Sequence, residues 1–314
     1  MSLLLSDYWV HFSTNVAITA LAALGLYVCF IAGQYSLGHA ALLGSGSYAA
    51  GTVSMNTGLS PIVGIACGVL AGAGMGLVMG GLLGLRLREF YLAIGTLAFN
   101  LGAVVVVLNT DALGGTLGLL GVRLEDVGDY AVGSVILVAT GIYCLERTRL
   151  GRAMRALHDD EVLAAANGVR VWRVKLAAFT IGGAITGLGG GLYAHYLAVV
   201  RPENFGFQRS SELWVPVIVG GTTLVIGPIV GAIVSGLIPE VINRYLEVDP
   251  ILIAGCLLMV VALFRPVGLI RKGDVRRLRT WWRRRREGRD DDDRPDDRIP
   301  SAPVTPDATA MTVP

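Results

Sequence analysis

The chain has 314 residues, of which 53% are hydrophobic and only 16% are charged, and its formal net charge is +2. Soluble domains carry about 25% charged residues, so this composition excludes an ordinary soluble protein and predicts an integral membrane protein. We expect contact with membrane lipid and no nucleic-acid partner.

Apolar stretches long enough to cross a bilayer, about 20 residues each, recur up to Arg265. They predict an all-α polytopic membrane protein with about eight or nine transmembrane helices, some of them glycine-broken or re-entrant. The predicted spans are Val10–Ile31, Ser36–Met55, Pro61–Leu85, Phe90–Leu108, Tyr130–Leu145, Val174–Val199, Leu213–Ile226, Pro228–Asn243 and Ile251–Phe264.

The segment GQYSLGHAALLGSGSYAAG, residues 33–51, places several polar side chains at predicted membrane depth. Polar residues there are costly unless they face protein or a water-filled path. A glycine-rich interruption also exposes half-helix ends, whose amides attract a carboxylate. We therefore predict that Ser36, Gly38 and His39 line a solute path. In the alternative interpretation, Ser36 bonds back to its own helix and His39 is an interhelical hydrogen-bond partner.

The glycines of the third predicted span recur every four residues, at Gly68, Gly72, Gly76 and Gly80. Such small residues allow helix backbones to approach closely in a bilayer, where lipid supplies no hydrophobic drive for packing. We predict that most glycines serve this tight packing, and that the remainder mark points where helices unwind around a solute.

A second polar pair lies in the fourth predicted span. Thr96 and Asn100 are four residues apart, hence on one helix face, and we predict that they lie behind the first path-lining group. The loop NTDALGGTLGL that follows places Gly114 and Thr116 in a short, flexible segment suited to gating the path. Equally, Thr96 and Asn100 suit polar contacts between helices, and the residues alone leave both interpretations open.

The segment RTRLGRAMRALHDDEVLAAANG, residues 147–168, is charged and helix-forming, so it cannot lie in lipid. Its arginines, and the basic residues that follow Phe264, assign both segments to the cytoplasmic side. Small and charged residues together suit a helix that docks into another protein. Arg152 and Arg155 are among its charged residues and are candidates for this docking.

Residues 1–270 are predicted to form the transmembrane domain, with 147–175 as its cytoplasmic loop. Residues 271–314 are basic, then acidic, and rich in proline, which predicts a disordered cytoplasmic tail. The run Arg283–Arg286 suits attachment to anionic lipid headgroups, or alternatively a simple positive-inside anchor. The absence of basic residues before Arg86 favours an external N-terminus.

The sequence contains no HExxH, GxSxG or Walker A motif, and its four histidines are scattered. The four cysteines lie in apolar runs without CxxC spacing, which indicates neither a disulfide framework nor a metal site. We predict no catalytic residue, no metal and no cofactor bound by this chain. Energy for transport must then come from a partner protein or from an ion gradient.

The order of several sequence blocks resembles the LivM-type permeases of branched-chain amino acid ATP-binding-cassette (ABC) importers. The blocks are GQYSLGHAALLGSGSYAAG, LREFYLAIGTLAF, LGGTLGL, LGRAMRALHDDEVLAAANGVRVWRVKLAAF, GLGGGLYA, VIVGGTTLVIGPIVGAIV and LFRPVGL. They cover approximately residues 20 to 270. The resemblance is to the permease family rather than to one substrate.

The resemblance implies a permease subunit in a bacterial cytoplasmic membrane that translocates branched-chain or related amino acids. The implied partners are a homologous second permease, two ATPase subunits that bind the ATP, and an extracytoplasmic solute-binding protein. The segment 147–168 then corresponds to the family's coupling helix. Glu161, Ala164 and Gly168 represent its EAA-like pattern, and with Arg152 and Arg155 they make up the five predicted docking residues. Leu163 stands where the family commonly has alanine.

Other functions stay open on the residues. The same permease family includes carriers of urea and short amides. An ion-coupled secondary carrier would place acids within the membrane, and the candidates here are Glu89 and Glu240. A membrane scaffold without transport would use the glycine-broken segments for packing alone.

Overall fold

The computed structural model describes residues 2–57, 60–87, 89–122, 127–246, 249–265 and 268–270. These residues are mostly helical, which confirms the predicted all-α class. The helices are α1 (Ser2–Phe30), α2 (His39–Thr57), α3 (Pro61–Met79, continued by a π-helical turn at Gly80–Gly84), α4 (Glu89–Leu108), α5 (Gly128–Arg147), α6 (Arg149–Asp159), α7 (Glu161–Ala166), α8 (Val171–Leu197), α9 (Phe207–Gly220), α10 (Ile226–Leu246) and α11 (Pro250–Phe264). The predicted tail at 271–314 lies outside the described residues.

Each predicted span overlaps one of these helices. In the part of the chain that the structure describes, six helices are long and apolar enough to cross a membrane: α1, α3, α4, α5, α8 and α10. The other three are less regular spans, because α2 is rich in glycine and serine while α9 and α11 have 14 and 15 residues. The predicted number of eight or nine crossings therefore stays approximate.

Two predicted boundaries are wrong. The span predicted from Ser36 begins later, because residues 31–38 are not helical and α2 begins at His39. The span predicted at Leu213–Ile226 is displaced, since α9 runs from Phe207 to Gly220 and ends where Gly221 adopts a φ of 98°. A residue with a positive φ cannot continue a right-handed α-helix, and glycine adopts a positive φ without steric cost.

Helix α8 lies at the centre of the described bundle, against α3, α2 and α1. A Cβ atom added to Gly187 of α8 would lie 2.8 Å from the Cα atom of Gly72 in α3, and one added to Gly72 would lie 2.6 Å from the Cα atom of Gly187. Cβ atoms added to Gly68 and Gly76 would also meet the α8 backbone, including the carbonyl oxygens of Gly187 and Phe179 respectively. This geometry confirms the predicted packing role of the α3 glycines.

The bundle has two distinguishable ends. The C-terminal end of α1 lies against α6, since a Cβ atom added to Gly33 would be 3.3 Å from the Cα atom of His158. Helix α8 begins beside α7 at this α6–α7 end and runs to the opposite one. There two short strands, β1 (Leu119–Leu120) and β2 (Val199–Val200), pair antiparallel, and we call this the β1–β2 end.

Candidate translocation path and coupling segment

The break between α1 and α2, residues 31–38, is held by hydrogen bonds from two other helices. The indole Nε1 of Trp214 in α9 donates to the carbonyl oxygen of Ser36 at 3.1 Å. The amide of Leu37 donates to Oγ1 of Thr96 in α4 at 2.9 Å. Within the break, the amide of Gly38 donates to Oγ of Ser36 at 3.2 Å. These side chains satisfy backbone groups that a continuous helix would have paired.

The structure thus brings together three of the residues predicted to line the path: Ser36, Gly38 and Thr96. A Cβ atom added to Gly38 would lie 2.8 Å from the carbonyl oxygen of Thr96, so α4 sits directly on the start of α2. Ser36 and Thr96 have no exposed surface. Protein therefore encloses these groups completely in this structure.

His39 and Asn100 are buried beside this group. The His39 side chain is 1% exposed, and its ring interacts with the Gly25 backbone of α1, although neither ring nitrogen has normal hydrogen-bond geometry to a described partner. His39 therefore lies between helices, buried against α1. Both amide atoms of Asn100 lack a hydrogen-bond partner among the described residues. Buried amides are usually paired, so Asn100 keeps unused hydrogen-bonding capacity one turn from Thr96.

Gly114 and Thr116 are not brought together with the break. The end of α4 at Leu108 lies 12 residues beyond Thr96, which corresponds to about 18 Å along the helix axis. Gly114, with a φ of 84°, separates two 3₁₀ turns, and Thr116 is exposed. The loop that contains Gly114 and Thr116 continues into β1, which pairs with β2. The loop therefore lies at the β1–β2 end and not beside the break.

A cleft of about 750 Å³ lies between α2 and α4 towards the β1–β2 end. Its lining residues include no charged side chain and only three hydroxyl groups. They are Ala41, Gly44, Ser45, Tyr48, Ala49, Thr52, Val53, Met75, Phe99, Gly102, Ala103, Val104, Val106, Val107, Leu113, Pro202 and Phe205. Sequence reasoning missed this cleft. A signal was present in the small residues at positions 41, 44, 45 and 49, which repeat on one face of α2.

The predicted docking segment forms a helix–turn–helix at the α6–α7 end. The Thr148 hydroxyl begins α6 by accepting a hydrogen bond from the amide of Gly151 at 3.2 Å. One carboxylate oxygen of Asp160 begins α7, since it accepts from the amides of Val162 and Leu163 at 2.8 and 2.9 Å. Both residues are favoured N-caps, because their side-chain oxygens satisfy amides that lack an intrahelical partner.

Three of the five predicted docking residues contact the bundle, although Arg155 and Glu161 keep 34% and 31% of their side-chain surface exposed. Nη2 of Arg155 lies 2.6 Å from Oε2 of Glu146 at the end of α5. Oε2 of Glu161 lies 3.0 Å from Nζ of Lys175 in α8, whose side chain is 4% exposed. Ala164 is buried in the main hydrophobic core. These three residues therefore anchor the segment to the membrane domain.

The anchor at Glu146 also reaches the buried helix α1. The hydroxyl of Tyr27, a residue with no exposed surface, donates to Oε1 of Glu146 at 2.6 Å. The same carboxylate thus binds Tyr27 through one oxygen and Arg155 of α6 through the other. The Glu146 carboxylate therefore links α6 to both α1 and α5.

The outward face of the segment carries the two other predicted residues and an apolar pair. Arg152 and Gly168 are exposed, and Gly168 has a φ of 82° just beyond the end of α7. Val162 and Leu163, which sequence reasoning did not select, are 70% and 62% exposed. We call Val162 and Leu163 the apolar pair of α7. The apolar pair of α7 is exposed at an end of the protein that is otherwise hydrophilic, which makes it a candidate for a protein–protein contact.

Within the described residues, no group of three His, Cys, Asp or Glu side chains is placed to hold a metal ion. Glu240, a candidate for ion coupling, is exposed near the end of α10 and accepts a hydrogen bond from the Tyr8 hydroxyl. The side chain of Glu89, the other candidate, lies outside the described residues. Glu240 therefore lies at the protein surface rather than in an enclosed path.

Comparison with known proteins covers most of the described bundle. Residues 8–264 match the family described as "Branched-chain amino acid transport system / permease component". This range includes the break, the cleft and the α6–α7 segment.

Individual relatives differ in the solute that their names specify. The chain is 29% identical over 307 residues to the high-affinity branched-chain amino acid transport system permease protein LivM of Escherichia coli K12, with 83% of this chain and 69% of LivM covered. It is 26% identical over 132 residues to LivH of that strain, with 42% of each protein covered. It is 26% identical over 268 residues to the L-arabinose ABC transporter permease protein AraH of Azospirillum brasilense, with 80% and 75% covered.

Proposed function

Because this chain belongs to the permease component family of branched-chain amino acid transport systems, we propose that it is a transmembrane subunit of an ABC importer in a bacterial cytoplasmic membrane. In the proposed complex it pairs with a homologous second permease. Two ATPase subunits bind its cytoplasmic side, and an extracytoplasmic solute-binding protein delivers the solute. The C-terminus lies in the cytoplasm, and the ATP is bound by the partner subunits.

The α6–α7 segment is the observation that supports the ATPase contact. It presents the apolar pair of α7 to solvent and is tied to the bundle by two ion pairs, Arg155–Glu146 and Lys175–Glu161. A partner bound to the apolar pair would therefore pull on α5 and α8, and on α1 through Tyr27. Movement of ATPases on closing around ATP would in this way reach the membrane helices.

Transport follows as an exchange between two arrangements of the bundle. One arrangement is closed at the α1–α2 break, as in this structure. ATP binding by the partners favours the other arrangement, in which the contacts of Leu37 and Gly38 with Thr96 open. A ligand shifts such an equilibrium only by binding the two states with different affinity, which is the role of ATP on the ATPase subunits.

The composition of the α2–α4 cleft supports a branched-chain amino acid as the solute. A sugar or urea would leave hydroxyl or amide groups unpaired against these apolar walls, at a cost of roughly 1–3 kcal/mol for each group. An aliphatic side chain has no such requirement. The charged α-amino and carboxylate groups of an amino acid would need polar partners in the cleft. Thr52 Oγ1 is buried there without a described partner, and the Ser45 hydroxyl, which donates to the carbonyl oxygen of Leu42 at 2.8 Å, can still accept a hydrogen bond.

Changing Leu163 to aspartate is expected to weaken the contact with the ATPase subunits. The substitution replaces a side chain that is 62% exposed with a charge, so the fold of the permease should not suffer. Losing an apolar anchor at an interface typically costs about 2 kcal/mol, or roughly a thirtyfold loss of affinity. Co-purification of the ATPase subunits with a tagged permease measures this loss.

The matched control for Leu163→Asp is Asp159→Asn, which changes charge at an exposed position of α6 outside the apolar pair. We expect Asp159→Asn to recover the ATPase subunits as the wild type does, and both variants to retain the second permease. Equal ATPase recovery with Leu163→Asp and the wild type would contradict the proposed docking face.

Changing Gly102 to leucine is expected to fill the cleft and impair uptake of leucine. Gly102 lines the cleft, and a Cβ atom added there meets nothing within 4 Å, so the new side chain enters open space without disturbing the backbone. Occupying the solute's volume should cost about 1–3 kcal/mol of binding, or roughly tenfold to a hundredfold in apparent affinity. Uptake of labelled leucine by cells or proteoliposomes measures it.

Gly133→Leu is the control for this substitution, because Gly133 of α5 also has open space around its Cβ position but lies outside the cleft. It should transport leucine normally. Normal leucine uptake by Gly102→Leu would exclude the cleft from the solute path.

A further inference from the structure

Four rings meet where α6 touches the α1–α2 break, and we call Phe30, Tyr35, His158 and Trp214 the aromatic junction. The Phe30 ring, at the end of α1, has its centroid 5.0 Å from that of Tyr35, 5.5 Å from that of His158 and 6.2 Å from that of Trp214. The Tyr35 and Trp214 rings stack at 6.4 Å with an interplanar angle of 16°. Phe30 thus contacts rings from the break, from α6 and from α9.

One ring of the aromatic junction, His158, belongs to α6 of the α6–α7 segment. His158 lies in the last turn of α6, and the backbone of the break passes over it, since a Cβ atom added to Gly33 would lie 3.3 Å from the Cα atom of His158. Met154 and Leu157 of the same helix are buried in the bundle. Movement of α6 therefore displaces a ring that is packed against the end of α1.

The aromatic junction also contacts the break directly, through Tyr35 within the break and through Trp214. Trp214 donates its indole hydrogen to the carbonyl oxygen of Ser36 at 3.1 Å. Ser36 in turn accepts from the amide of Gly38, and Leu37 between them donates to Thr96 of α4. A shift of the Trp214 ring would therefore disturb the hydrogen bonds that close the break.

The other anchors of the α6–α7 segment lead elsewhere. The Arg155–Glu146 pair reaches α5 and α1, and the Lys175–Glu161 pair reaches α8. The described contacts of the aromatic junction, in contrast, join α6 to the break itself. Closely packed rings suit this task because packed groups change between discrete arrangements rather than deforming continuously.

We propose that the aromatic junction transmits the movement of α6 to the break between α1 and α2. Phe30, His158 and Trp214 are then positioning residues that open the solute path. This inference rests on the proposed function, because the movement of α6 is supplied by ATPase subunits. It adds a route by which their closure reaches the break.

The test uses the whole importer reconstituted in liposomes with its solute-binding protein, and compares His158→Ala, Trp214→Phe and the double variant with the wild type. Trp214→Phe keeps an aromatic ring and removes the hydrogen bond to Ser36. Each single variant should lower the ratio of leucine transported to ATP hydrolysed by roughly 2-fold to 30-fold. The double variant should lower it no further than the more severe single variant, because both changes interrupt one route.

Matched controls come from the other end of α1, where His11 and Tyr196 form a similar ring pair with centroids 5.8 Å apart and Trp9 is exposed. His11→Ala and Trp9→Phe should keep the wild-type ratio. The inference is overturned if the junction variants also keep it, or if the two single effects multiply in the double variant.

A second measurement does not depend on the solute. A cysteine placed at Leu37, in a variant whose four native cysteines are replaced, reports access to the break by its rate of reaction with a thiol reagent. Trapping the ATPase subunits with ATP and vanadate should change this rate, and His158→Ala should abolish the change. Persistence of the change would refute transmission through the junction, whereas failure of the wild-type chain to bind ATPase subunits would refute the proposed function instead.

Discussion

Replacing Gly187 with leucine is expected to abolish accumulation of folded permease in the membrane. The Cβ atom of the new side chain would lie 2.8 Å from the Cα atom of Gly72, and backbone atoms cannot swing aside as a flexible side chain does. Overpacking costs about 1–3 kcal/mol where neighbours can yield, and separating α3 from α8 would lose the central contact of the bundle. The yield of monodisperse protein after detergent extraction measures the effect.

The same substitution at Gly74 supplies a matched control. Gly74 lies in α3 between Gly72 and Gly76, both of which touch α8, but a Cβ atom added to Gly74 meets nothing within 4 Å. Gly74→Leu should therefore be extracted in normal yield and bind its partners. If Gly187→Leu were as well folded as Gly74→Leu, the α3–α8 contact would not be the packing centre that the structure indicates.

The contact between the glycines of α3 and those of α8 also shows what the sequence can and cannot predict. The recurrence of Gly68, Gly72 and Gly76 every fourth residue predicted one close-packed helix face, because side chains four residues apart lie together. It did not identify the partner. The glycines of α8 that meet this face, including Gly187, are more than 100 residues away in the chain, and no local pattern specifies which face packs on which.

The helix bounds could be predicted where apolar residues fill the span. The predicted bounds were wrong for α9 because its first turns are polar. Arg209 and Glu212 lie there, and an ion pair of 3.1 Å joins them. A hydropathy window begins only where such residues end, so it missed the start of this helix. The end of α9 depends on the positive φ of Gly221, which a glycine permits but does not require.

The candidate site was predictable only in its polar part. Ser36 and Thr96 stand out because polar groups are costly at membrane depth, and the structure does place them together. The α2–α4 cleft is different, because its walls are aliphatic and aromatic like the rest of a membrane bundle. An apolar residue that lines a cavity and one that faces lipid have the same composition, so the sequence carries little signal for the cleft.

The α6–α7 segment shows the converse limitation. Its charge predicted correctly that it forms helices at one end of the bundle, but not which residues face inward. One face of a short amphipathic segment packs on the bundle and the other faces solvent. A charged residue can lie on the face towards the bundle when a residue of opposite charge is present there to pair with it. Glu161 has such a partner in Lys175 of α8. The apolar pair of α7 is exposed instead, against the usual tendency of aliphatic side chains to be buried.

Replacing Glu161 with glutamine is expected to be the most damaging single change in the α6–α7 segment. It leaves the ammonium group of Lys175, whose side chain is 4% exposed, without the carboxylate 3.0 Å away. Removing one partner of a buried ion pair costs about 3–5 kcal/mol, and we expect about 3 kcal/mol because Glu161 is partly solvated. The thermal midpoint of the detergent-extracted permease and the protease sensitivity of the 147–168 segment measure the loss.

A double variant separates this charge effect from a requirement for Glu161 itself. In Glu161→Gln with Lys175→Met, the buried ammonium group is absent and an apolar side chain of similar length fills its place, so most of the stability should return. Since the apolar pair of α7 is unchanged, the double variant should also bind the ATPase subunits again. If the double variant were as unstable as Glu161→Gln, the unpaired charge would not be the cause, and Glu161 would have to act through contacts other than that with Lys175.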